Sequence, residues 1–65
     1  MKRIHLLRRI GRAARAKGLD WSLIRQGSEH EVWDLEGVRV IIPRHREINE
    51  VTAVNILKVL QEKLR

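Results

Sequence analysis

The stretch Gln26-Gly-Ser-Glu-His30-Glu-Val-Trp-Asp-Leu35-Glu-Gly-Val-Arg-Val40-Ile-Ile-Pro-Arg-His45 decides the fold. Val38 to Ile42 is rich in β-branched residues, and Pro43 stops it because proline cannot donate to a sheet ladder. Glu36-Gly37 separates it from a second strand, Glu29 to Leu35, which carries His30. Upstream, Trp21 to Gln26 reads as a third strand, joined through Gly27-Ser28, the glycine-first pair of a type II′ hairpin turn.

Two-residue loops at both turns fix a register by counting, because directly opposed residues share a face. Ile24, Trp33, Leu35, Val38, Val40 and Ile42 then form the core face. Trp21, Leu23, Arg25, His30, Val32, Asp34, Arg39 and Ile41 lie on the other face, with Arg25 opposite His30 and Asp34 opposite Arg39. The apolar row Leu23, Val32, Ile41 on this outer face calls for a covering partner, whether another protein or a second copy of the chain in a homo-oligomer.

Working outward, residues 3 to 17 place Leu6, Leu7, Ile10, Ala13 and Ala14 on one arc of a helix, with Arg8, Arg9, Arg12, Arg15 and His5 opposite. Gly18 follows Lys17 as a C-terminal cap. After a polar connection at residues 44–47, Asn49 is the N-cap of a second helix, with Glu50 favourable in its first turn. Ala53, Ile56, Leu57, Leu60 and Leu64 form the inward stripe of that helix, and Val51 and Val59 fall off it. The fold class is therefore α+β: a single αβββα domain over residues 1–65, with both helices on one face of an antiparallel meander. Double-stranded-RNA-binding domains share this layout.

A chain of 65 residues buries only about 60% of the surface its unfolded form would expose. Fourteen Lys and Arg against eight Asp and Glu leave a net charge of +6, and no acid precedes Asp20. Such a basic block draws a polyanion or an acidic protein. The absence of cysteine, of a signal-like apolar run and of a membrane-length segment gives a soluble cytoplasmic protein as the expectation. A cationic membrane-surface helix at residues 2–17 is a weaker reading, since that helix has no bulky aromatic residue. No phosphate-cradling glycine loop, Ser/His/Asp order or metal-ligand spacing occurs, so neither cofactor nor metal is expected.

By spacing alone, His30 is a surface histidine, and so is His45. Histidine is nonetheless the side chain suited to proton transfer near neutral pH, and a neighbouring arginine stabilises phosphate charge. The segments Gly27-Ser28-Glu29-His30-Glu31-Val32-Trp33, Val40-Ile41-Ile42-Pro43-Arg44-His45 and Ile48-Asn49-Glu50-Val51-Thr52-Ala53, with Ile-Leu-Lys at 56–58, resemble the HicA family of toxins. The similarity runs over nearly the whole chain. It implies an αβββα messenger-RNA interferase that needs no metal and is neutralised by a HicB-like antitoxin. It also implies His30 as the catalytic residue. Arg25 or Arg44 would assist as phosphate stabiliser, and Arg39 and His45 would contact RNA. Where the family commonly has Gly-Ser before the histidine, this chain has Ser28-Glu29. The alternative is a non-catalytic RNA-binding module of the same fold. Its duplex-binding relatives place lysines at the start of the last helix, where this chain carries Glu47 and Glu50.

Overall fold

The computed structural model of the chain describes residues 1–64, the side chain of Leu64 excepted, so the place of Leu64 on the inward stripe lies outside the described residues. The element order is α1 (Arg3–Ala16), β1 (Trp21–Gln26), β2 (His30–Leu35), β3 (Val38–Pro43) and α2 (Glu50–Leu64). The strands form one antiparallel sheet in the order β1-β2-β3, which is the αβββα architecture the sequence implies.

Leu6, Ile10 and Ala14 of α1 are buried against Leu35, Val40 and Ile42 of the sheet and Ala53, Ile56 and Leu60 of α2, with Ile48 closing one end. Both helices thus lie on one face of the sheet. The α1 terminus is a Schellman motif: Leu19 N–H donates to the Ala14 carbonyl at 2.9 Å and Gly18 N–H to the Arg15 carbonyl at 3.0 Å. Gly18 takes the positive φ of 68° that this cap requires. At the start of α2, Asn49 Oδ1 accepts the Val51 N–H at 2.8 Å, confirming the N-cap. Val51 and Val59 are exposed off the stripe, as is Val54.

The starts of the two helices are tied by a pairing that the sequence did not announce. Lys2 bridges to Glu47, and Ile48 N–H donates to the Met1 carbonyl at 2.8 Å. The Met1 ammonium donates to the Ile48 carbonyl and to Glu50 Oε1. The hydrogen bond to Glu50 holds the pKa of that ammonium above its ordinary value.

The β2–β3 hairpin has the register obtained by counting, from Leu35 opposite Val38 to His30 opposite Pro43. Glu36 and Gly37 both have positive φ, 48° and 90°, as a type I′ turn demands. Asp34 lies opposite Arg39 and pairs with it at 3.7 Å.

The β1–β2 hairpin differs from expectation in two ways. Its turn is one residue later: Gly27 N–H donates to the His30 carbonyl at 2.9 Å, leaving Ser28-Glu29 at the tip. Neither of these has positive φ, so the turn is not of the primed kind. Glycine at 27 has a steric reason, since a Cβ there would lie 2.9 Å from the His30 carbonyl oxygen. The second difference is a bulge between Leu23 and Arg25. Residue 25 pairs with Val32, whereas Leu23 pairs with Trp33 and Trp21 with Leu35.

One extra residue exchanges the faces of everything beyond it. Trp21 therefore sits on the helix side, its ring stacked on Trp33 with centroids 4.7 Å apart. Leu23 follows it, and Ile24, the expected core residue, is 47% exposed and outside the core cluster. Arg25 is opposite Val32 rather than His30, and the expected outer row of Leu23, Val32 and Ile41 is reduced to Val32 and Ile41.

Candidate functional site

His30 is exposed at the first residue of β2. Alternation decides its direction: its neighbour Glu31 is buried beneath the helices with Leu35, so His30 points to the open face. Arg25, Gly27, Ser28, Glu29, His30 and Val32 line one open depression there. The shifted turn thus moves Arg25 from opposite His30 to opposite Val32, on the same face of the sheet and lining the same depression.

Arg44 holds the loop under this depression. Its main-chain N–H donates to the Glu29 carbonyl at 2.9 Å and its guanidinium to the Gly27 carbonyl at 2.7 Å. The side chain closes the acceptor that a tight two-residue turn would give to the facing strand. It is a loop clip, with further guanidinium N–H groups left over. Arg44 also borders a second depression with Lys2, Arg3, Ile4, Arg46 and Glu47, where the start of α1 meets the 44–47 connection.

Two other sequence candidates lie apart. Arg39 is on the open face but bound to Asp34, four strand positions from His30, or about 13 Å. His45 is exposed in the connection after Arg44. The structure therefore gathers His30, Arg25 and Arg44 around one loop and leaves Arg39 and His45 outside it.

Behind His30 runs a polar contact through the core face. Glu31 is 5% exposed and forms an ion pair with Arg3 of α1. It also accepts the Trp33 Nε1–H at 3.2 Å, and Arg3 Nε donates to the Pro43 carbonyl at 3.1 Å. The acid is thus buried with its charge paired, both contacts falling on Oε1. It links α1 to the ends of β2 and β3 on either side of His30. The sequence carried a signal for it: Glu31, Trp33 and Leu35 share one face by alternation, which puts an acid in the core and calls for a cation. The Trp21–Trp33 stack was hidden because the bulge reverses the face of Trp21.

Among the described residues no three His, Asp or Glu side chains converge, and no helix is long and apolar enough to cross a membrane. Comparison of the chain with protein-family models, curated proteins and solved structures gives no match.

Proposed function

We propose that the chain is a metal-independent endoribonuclease in which His30 is the general acid or base, and the toxin of a HicA-like toxin–antitoxin pair. The observation that carries this reading is the exposed imidazole of His30 beside Arg25 in one depression of the open sheet face. In the reaction, the 2′-oxygen of a ribose attacks the adjacent phosphorus, the O2′–P bond forms and the P–O5′ bond breaks, leaving a cyclic phosphate. His30 takes the 2′-hydroxyl proton or gives one to the departing 5′-oxygen, and water gives or takes the proton at the other oxygen. Arg25 faces the charge that gathers on the phosphoryl oxygens, and Arg44 contributes chiefly by fixing the loop.

Messenger RNA is the substrate class of this reading and the cytoplasm its place. The net charge of +6 supports a polyanion over a neutral substrate. An acidic, HicB-like antitoxin laid over Val32, Ile41 and the depression would exclude RNA and switch the activity off. One observation favours the second reading, a non-catalytic RNA-binding module: the carboxylate-bearing Glu29 lines the depression with His30 and repels an incoming phosphate.

The test is cleavage of mixed-sequence RNA in EDTA by the wild type and by His30→Ala, matched for folding by circular dichroism. Cutting by the wild type alone upholds the proposal. Binding of RNA with no cutting by either protein replaces it with the binding module, and equal cutting by both removes His30 from the reaction.

A further inference from the structure

On the opposite side of the sheet from His30, α1 and the β1 edge border an open groove whose lining includes Arg8, Gly11, Arg12, Arg15, Trp21 and Trp33. Trp21 and Trp33, both half-buried, line it with their indoles stacked 4.7 Å apart at an interplanar angle of 12°. Its wall is one face of α1. Arg8, Arg12 and Arg15 follow at i, i+4 and i+7, steps of about 6 and about 4.5 Å along the helix axis. All three are exposed, and among the described residues no carboxylate pairs with them. The first acid in the chain is Asp20, beyond the end of the helix.

Like charges at this spacing destabilise a helix and call for a counter-charge. Residue 11, in the middle of α1, is a glycine that borders the groove. A Cβ there would stand 3.8 Å from Trp21 Cδ1, an ordinary contact, so the backbone needs no glycine at this point. A glycine costs a helix interior stability relative to alanine. With no side chain at this point, residue 11 covers less of Trp21 than any other residue would.

We propose that this groove is a subsite for single-stranded nucleic acid, in which a base stacks on the Trp21–Trp33 pair while Arg8, Arg12 and Arg15 contact the flanking phosphates. The pairing of flat aromatic surface with a line of cations favours this ligand. An acidic peptide would answer the arginines but brings a flat ring only where it carries an aromatic side chain, whereas every base presents one. The subsite goes beyond the proposed reaction and does not depend on it, since it lies on the other face of the sheet and needs no proton transfer. Arg25, on the same edge strand, would guide a bound strand round β1 toward His30.

The experiment titrates the protein with a mixed-sequence 2′-O-methyl RNA oligonucleotide, which lacks the hydroxyl that cleavage requires, following oligonucleotide anisotropy and tryptophan fluorescence together. Two variants are compared with wild type after a folding check: Arg8→Gln/Arg12→Gln/Arg15→Gln, and Gly11→Leu, whose side chain would fill the groove. The expected result is quenching of tryptophan on binding, with affinity at least about tenfold weaker in both variants. The salt slope of log affinity should fall by about two in the arginine variant and stay unchanged for Gly11→Leu. Wild-type affinity in the arginine variant, or binding without quenching that Gly11→Leu does not alter, overturns the subsite. Tighter and quenching binding of polyglutamate than of RNA overturns it in favour of an acidic protein. RNA bound in the expected way by a wild type that cuts nothing in EDTA leaves the subsite standing and removes the reading of His30.

Discussion

The two hairpins of the sheet have strands of equal length and opposite character. β2–β3 turns through Glu36 and Gly37 at positive φ, keeps one register from end to end and supplies Leu35, Val40 and Ile42 to the core. β1–β2 turns through Ser28-Glu29 without positive φ, carries a bulge and contributes no buried residue from β1. A primed turn matches the right-handed twist of the strands and needs no correction. An unprimed one splays them, and the extra residue at the bulge adds local twist that restores pairing. The regular hairpin belongs to stability. The irregular one is held by backbone bonds, an indole stack and the Arg44 clip, and it carries the residues proposed to meet RNA.

The sharpest way to break this contrast is to truncate one isoleucine in each hairpin. Ile42→Ala, at a fully buried site, should cost about 2–5 kcal/mol in urea unfolding, against less than about 1 kcal/mol for the half-exposed Ile24→Ala. Equal costs would mean that β1 is as much core as β3. A middle-sized effect is expected where α1 grips both hairpins. Glu31→Ala should cost about 2–3 kcal/mol, below the range for a fully buried pair, because Arg3 keeps 24% of its side-chain surface in water. The double change Arg3→Met/Glu31→Leu should return unfolding to within about 1 kcal/mol of wild type, and a cost equal to that of the single change would show that the pair does more than neutralise itself. The smallest effect sharpens the contrast most. Arg44→Ala should remove about 1 kcal/mol and speed amide hydrogen exchange at Gly27 while leaving Val40 and Ile42 at wild-type rates. Uniform acceleration would mean that the β1–β2 loop does not open independently.

The legible parts of the fold were those in which one residue type has one consequence. Gly18 and Asn49 cap the helices as residues of their kind do, Glu36-Gly37 closes a two-residue turn, and the Asp34–Arg39 match fixes β2 against β3. Failure began where two readings differ by one residue. Gly27-Ser28 and Ser28-Glu29 are adjacent candidates for one turn, and alternation through Leu23-Ile24-Arg25 is apolar on both sides, so composition does not mark the bulge. The site was legible in part for the same reason. His30 and Arg25 keep the open face because both lie on the turn side of the bulge, while the Trp21–Trp33 groove lies beyond it. Arg44 was visible as a cation, but a side chain that bonds to a main-chain carbonyl 17 positions away leaves no periodic trace.

The bond from Ile48 N–H to the Met1 carbonyl bears on the order in which the molecule is made. Synthesis proceeds from the N-terminus, so α1, with its arginines and its apolar stripe of Leu6, Ile10 and Ala14, emerges before anything it packs against. The tight β2–β3 turn is a local contact, whereas anchoring the start of α1 means closing a loop with a separation of 47 residues. Until residue 48 has been made, the start of α1 has no partner for these bonds, and the core is filled only when Ala53, Ile56 and Leu60 of α2 have followed.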